Sequence, residues 1–176
     1  MMSSAEEWLD HEDKCCWDNR LARLKWIMKE YPKIEIPLFR DGLKSYYLFE
    51  EARHCFVYGQ YTASIMLSLS FIETTLASMF YASGRNDLER ARLSDLLKEA
   101  KEKGLISEQE FIVFDKVRKL RNPLTHFCKP SDRENVEYRA LEKDAHPYDL
   151  LEEDAKMALK ANFRIMDKFS VHKNED

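Results

Sequence analysis

Apolar positions recur along this chain at three- and four-residue spacings, the period of helices that bury one face. Over residues 4–30, Trp8, Cys15, Leu21, Leu24, Ile27 and Met28 form a loose apolar stripe between charged positions. Tyr31-Pro32 ends that segment, and Pro32 and Pro37 bracket an irregular connection. A second helix is predicted from a cap at Asp41 to about Tyr58, carrying Leu43, Tyr46, Tyr47, Phe49, Glu50 and Ala52 to Val57, with Gly59 as punctuation. The third, 60–82, is apolar nearly all round and must be covered on several sides, by a bundle or by a second subunit.

The second half of the chain is clearer in its punctuation. Leu93, Leu96, Leu97 and Ala100 share one face of a short helix over about 93–103, which Gly104 stops. Ser107 and Glu110 make a capping box, with Ile106 and Phe111 placed as a hydrophobic staple. The helix they open turns Phe111, Phe114, Val117 and Leu120 inward and runs into Arg121. Residues 128–147 read as a long polar loop. Asp149 and Glu152 repeat the capping-box pattern ahead of a last helix to about Phe169. Its apolar side is Leu150, Leu151, Ala155, Ala158, Leu159, Phe163, Ile165 and Met166. The expected fold is all-α, an up-and-down bundle of five to six helices. Residues 1–40 supply an N-terminal helix and linker packed on a helical domain over 41–172.

Composition narrows the class. With 176 residues, 44% hydrophobic, 34% charged and only four Gly, the chain can bury one core and favours helices. A net charge of -4 argues against coating nucleic acid in bulk but leaves room for a local basic site. Cys15, Cys16, Cys55 and Cys128 contain no C-x-x-C pair and read as reduced thiols in a cytoplasmic protein. No Cys/His cluster has metal-ligand spacing, and nothing calls for a cofactor. The acidic N-terminus lacks a signal-peptide layout. Tyr61 to Ala82 carries a single charge, Glu73, but also seven Ser and Thr side chains, so a buried core helix is expected rather than a membrane span.

Candidate chemistry concentrates at Arg121-Asn122-Pro123-Leu124-Thr125-His126. From Lys116 to Lys129 the chain has five Lys/Arg and no acid. Arginine forks onto phosphate, and histidine exchanges a proton near neutral pH. On an unbroken helix, positions five apart diverge by about 140°. Pro123 cannot donate to the Lys119 carbonyl, so the helix bends or restarts, with Asn122 as N-cap, Pro123 at the first position and His126 in the first turn. That break is what lets Arg121 and His126 converge. Thr125 either adds a hydroxyl or caps the turn. Lys116, Arg118, Lys119 and Lys129 either track an RNA backbone or form a solvated face. Glu73 either pairs with a nearby arginine such as Arg53 or orients Arg121 or His126. Trp8, Trp17 and Trp26 are expected in core or partner contacts rather than as stacking platforms, and His54 and Cys55 in packing. His146 is expected in solvent, and His11 and His172 near the termini to be inert.

The layout resembles the HEPN superfamily, whose signature is R-x(4–6)-H with a polar residue after the arginine. The matching residues are Arg121, Asn122 and His126, late in a helical chain, with an apolar helix bearing one acid upstream, Glu73 in Ser70-Phe71-Ile72-Glu73. The resemblance covers roughly residues 43–170. It implies a metal-independent endoribonuclease of toxin or antiviral-defence type. Arg121 would hold the scissile phosphate, His126 would move protons around 2′-hydroxyl attack, and Asn122 would orient the phosphate or a partner. Cleavage would leave a 2′,3′-cyclic phosphate. The alternative is a non-catalytic module of the same kind that binds RNA, a nucleotide or a protein. Transesterification needs both a base and an acid, and each chain has one histidine in a basic setting, which points to a homodimer. The resemblance likewise implies a cleft between subunits, and an antitoxin or defence partner. In one HEPN toxin class a Tyr two residues after the His is modified by a partner nucleotidyltransferase; here Cys128 stands there, and the resemblance does not extend to that pairing.

Overall fold

A computed structural model describes residues 4–32 and 42–169, and among these it is helical with no strand. The helices are α1 (Ala5–Glu30), α2 (Leu43–Val57), α3 (Tyr61–Ala82), α4 (Leu93–Glu102), α5 (Glu108–Lys119), the single turn α6 (Asn122–Thr125), α7 (Val136–Lys143) and α8 (Pro147–Phe169). A 3₁₀ turn, Asn86–Leu88, precedes α4. Asp41, expected to cap the second helix, lies outside the described residues, as do Pro37 and His172.

Helix α3 is the centre of the bundle, packed most extensively against α2 and α8. Ile65, Leu69, Phe71, Ile72, Leu76 and Phe80 from α3 are buried with Phe49 and Phe56 of α2 and Leu159, Phe163 and Met166 of α8. Two of the hydroxyls that interrupt its apolar surface bond across to α2 inside the bundle. Ser64 donates to the Ala52 carbonyl at 2.9 Å, and Ser45 and Thr75 share a hydrogen bond of 3.2 Å. By length and composition α3 is apolar enough to cross a membrane, at a mean hydropathy of 1.4, yet half of that window is buried inside the bundle. Its open side carries Met66, Ser70 and Glu73, spaced at helical intervals.

The local stops form as their chemistry requires. Gly104, at φ 69°, lets Leu105 N–H donate back to Ala100 at 2.8 Å while Gly104 N–H reaches Lys101 at 2.9 Å, closing α4 in a Schellman turn. Ser107 accepts from Glu110 N–H at 3.2 Å, and Ser107 N–H donates to Glu110 at 2.7 Å, completing the box that opens α5. Gly59 sits at φ 76°, and a Cβ there would meet the Tyr148 hydroxyl at 2.6 Å. That hydroxyl donates to the Gly59 carbonyl at 2.6 Å, tying the α2–α3 turn to the start of α8.

Three expectations are corrected. The 128–147 segment is not all loop: Asn135 accepts from the N–H groups of Glu137 and Tyr138 and opens α7. The last helix starts at Pro147, with His146 Nδ1 accepting from Tyr148 N–H at 3.2 Å, so Asp149 lies inside the first turn and not at the cap. The stripe on α1 is largely uncovered. Ile27 is buried and Trp26 packs on Phe56 at 5.1 Å, whereas every residue from 4 to 15 is exposed, and so are Trp17, Leu24 and Met28.

Candidate functional site

The α5–α6 junction is held by its backbone and by the Thr125 hydroxyl, and the Arg121 guanidinium has no ion pair or hydrogen bond among the described residues. Pro123 has no N–H, so the ladder tightens before it: Leu120 donates to Val117 at 3.0 Å and Arg121 to Arg118 at 3.3 Å. Arg121, and not Asn122, stands at the cap position of α6, with helical φ/ψ of -62° and -41°. Its carbonyl accepts from the N–H of Leu124, the N–H of Thr125 and the Thr125 hydroxyl, each at 3.0 Å. Thr125 is thereby committed to the turn. His126 does not sit in a first turn with more helix to follow; it closes α6, its N–H on the Asn122 carbonyl at 3.1 Å and its backbone extended at φ -126°, ψ 150°. The change from helical to extended backbone within six residues replaces the fixed helical divergence between Arg121 and His126.

Arg121, Asn122 and His126 line one open cleft of about 620 Å³. Its floor is the uncovered side of α3, including Met66, Ser70 and Glu73. A third side is the segment leading into α4, with Arg90 and Arg92, and the first turn of α4, with Ser94. Arg118 also faces the cleft. Four arginines and one histidine therefore share the space with one carboxylate. Arg90, Arg92 and Arg121 make no ion pair or hydrogen bond through their side chains among the described residues, and neither does Glu73. The pairing of Glu73 with Arg53 does not form: Arg53 bonds Glu50 on its own helix at 2.7 Å.

The basic run divides. Arg118 donates to Asp115 at 2.8 Å and Lys119 reaches the same carboxylate at 2.9 Å, so two of the run's cations share one acid that lies one residue outside it. Burial pushes the Asp115 carboxyl up, but the hydrogen bonds from Lys119 and Arg118 outweigh this and hold it below its ordinary value. Lys116, Lys119 and Lys129 are exposed and do not line the cleft. Arg90 and Arg92 escape a reading of the sequence because an Arg-Ala-Arg step carries no signal of its own; its only cue is its place just before the apolar face of α4. Phe127, next to His126, leaves 89% of its surface in water.

Elsewhere, Trp17, Arg20, Leu21, Leu24, Val57 and Tyr58 line a shallower groove of about 360 Å³ on α1 and α2. No group of three or more His, Cys, Asp or Glu side chains converges on a metal-sized site among the described residues. The chemistry the cleft offers is fixed positive charge beside one imidazole and one carboxylate, open to a ligand from solvent. No family model, no curated protein and no solved structure matches this chain.

Proposed function

We propose that this chain is an endoribonuclease of HEPN type that needs no metal, acting in the cytoplasm as a homodimer, in a toxin or antiviral-defence setting with an antitoxin or defence protein as partner. One observation carries the reading: Glu73, Arg121, Asn122 and His126, drawn from α3 and from the α5–α6 junction, line a single solvent-open cleft rich in arginine.

In this reading the RNA 2′-oxygen attacks the adjacent phosphorus, forming the P–O2′ bond as the P–O5′ bond breaks. One His126 takes the 2′-hydroxyl proton, and His126 of a second copy gives a proton to the departing 5′-oxygen. Arg121 holds the phosphate oxygens as their charge grows, Asn122 orients the phosphate, and Glu73 orients Arg121 or His126. General acid–base help is worth roughly 10²–10⁴ in rate and a positioned donor about 3–4 kcal/mol. The cleft of one chain holds one histidine. That favours a composite site, and it equally favours the second reading, a non-catalytic module that holds RNA, a nucleotide or an acidic partner.

The test is incubation of labelled RNA with purified protein in excess chelator, with analysis of the product ends. Cleavage leaving 2′,3′-cyclic phosphate, lost in His126→Ala, is expected. Cleavage retained by pure His126→Ala protein would overturn the reading, and binding without cleavage by the wild type would establish the second.

A further inference from the structure

Arg90 and Arg92 lie 29 or more positions before Arg121 in sequence yet share its cleft, on the segment that enters α4. Both are exposed and neither has an ion-pair partner among the described residues. Guanidinium groups repel one another, and this fold has carboxylates to spare: elsewhere Arg20, Arg53, Arg85 and Arg139 are each paired with an acid. Gathering Arg90, Arg92 and Arg121 around one space with a lone carboxylate is a cost to the empty protein, and an anion that touches more than one of them relieves it. The space of about 620 Å³ exceeds what one phosphate group needs and suits a ligand the size of a nucleotide or more. Among the described residues no Phe, Tyr or Trp lines it, and its one ring is the His126 imidazole. Base stacking, the usual sequence-tolerant source of single-strand affinity, is therefore not offered inside the cleft, and phosphate contact must supply the affinity.

We propose that Arg90 and Arg92 form a second phosphate subsite, so that the ligand is a single nucleic-acid strand held by at least two phosphates, one at Arg121 and another at the α4 entrance. This rests on the reading that the cleft takes RNA, and it adds the extent and kind of substrate. Binding by this site depends on backbone charge, tolerates changes of base, and falls steeply with salt. Arg90 and Arg92 are binding residues; they take no part in proton transfer.

The test separates binding from chemistry. The probe for binding is a fluorescent single-stranded DNA of about ten nucleotides, which lacks the 2′-hydroxyl and is not cut by the proposed reaction. Arg90→Ala and Arg92→Ala made together are expected to weaken it about ten-fold and to reduce the slope of log affinity against log salt by about 0.7, the value for the one phosphate that is no longer neutralised. Arg90→Lys with Arg92→Lys keeps the charge and is expected to restore most of the slope. In the alanine pair kcat/KM on a long RNA is expected to fall with the affinity, and to fall by more than kcat/KM on a dinucleoside monophosphate, which has one phosphate. Equal affinity and equal slope in wild type and alanine pair would overturn the subsite even if His126→Ala abolishes cleavage. Conversely, wild-type protein that cuts no RNA but loses its salt-dependent binding in the alanine pair keeps the subsite and overturns the nuclease.

Discussion

Arg139 on α7 and Arg121 at the α5–α6 junction each stand on a short helical segment late in the chain, and their surroundings use them in opposite ways. Arg139 forks onto Asp154 of α8, its two terminal nitrogens 2.8 and 2.9 Å from the two carboxylate oxygens, and Asp154 is buried. That geometry ties α7 to the bundle and leaves the guanidinium nothing to offer a ligand. Arg121 has a clamped backbone, an exposed side chain and no side-chain partner among the described residues. A structural arginine brings its acid with it. An arginine whose backbone is fixed and whose fork is empty is placed for something that arrives.

The contrast yields opposite outcomes for similar substitutions. Under the proposed function, His126→Ala and Arg121→Ala should each cut the rate of RNA cleavage by about 10²–10⁴, measured in single turnover. Both side chains are exposed, so stability should stay within the range of ordinary surface changes, about ±0.5 kcal/mol. Asp154→Ala should do the reverse. It strands a partly buried guanidinium, a loss of about 3–5 kcal/mol, visible as a melting temperature lower by roughly 10 °C. Cleavage measured well below that temperature should persist. If Asp154→Ala silenced cleavage while the protein remained folded, α7 would belong to the site and the comparison would fail.

Glu73 sharpens the comparison at a smaller scale. It is half-buried in the cleft without a partner among the described residues, so Glu73→Gln removes no bond and should leave stability nearly unchanged. Removing the cleft's one negative charge should tighten binding of single-stranded DNA about two- to five-fold. If Glu73 orients Arg121 or His126 in the working enzyme, kcat falls in the same variant, and the split between binding and turnover identifies a positioning residue. Weaker DNA binding in Glu73→Gln would show instead that the carboxylate organises the arginines.

The same residues explain what the sequence made legible. Periodicity and punctuation located α3, α4, α5 and α8 to within a few residues, because their apolar faces are covered and their caps are local. On α1 periodicity named a face that the described structure covers only in part: Ile27 is buried, whereas Trp8, Leu24 and Met28 are exposed, so a stripe does not say what lies against it. The helix α7 was hidden because eight residues are few, Leu141 points into water and breaks the pattern, and its anchor is a pair between Arg139 and Asp154 fifteen residues apart. At the site, Arg121, Asn122 and His126 were legible as a local motif. Arg90 and Arg92 reach the cleft only through the packing of α4 on α3 and α5, which no local pattern records. The basic run looked more available than it is because Asp115 lies one residue outside it.

Asp115 gives the smallest effect and the finest discrimination. Its carboxylate holds Arg118 and Lys119 by partly exposed pairs, each worth about 0.2–1 kcal/mol. Asp115→Asn should therefore cost little stability near neutral pH. The sign with pH follows from the direction of the shift. The folded carboxyl lies below its unfolded value of about 3.9, so its contribution is fully present above about pH 4 and is lost as pH falls through the folded value. The melting-temperature difference between wild type and Asp115→Asn should accordingly be constant from about pH 5 upward and shrink towards zero in stronger acid. A difference that instead grows as pH falls would mean that Asp115 is stabilised in its protonated form, contrary to its two cationic partners. The same variant frees Arg118, which lines the cleft, and Lys119, which does not. Single-stranded DNA should then bind more tightly, with a steeper salt dependence, if Arg118 takes up a phosphate. An unchanged slope would assign Arg118 to the structural class of Arg139, leaving Arg90, Arg92 and Arg121 as the arginines open to a ligand.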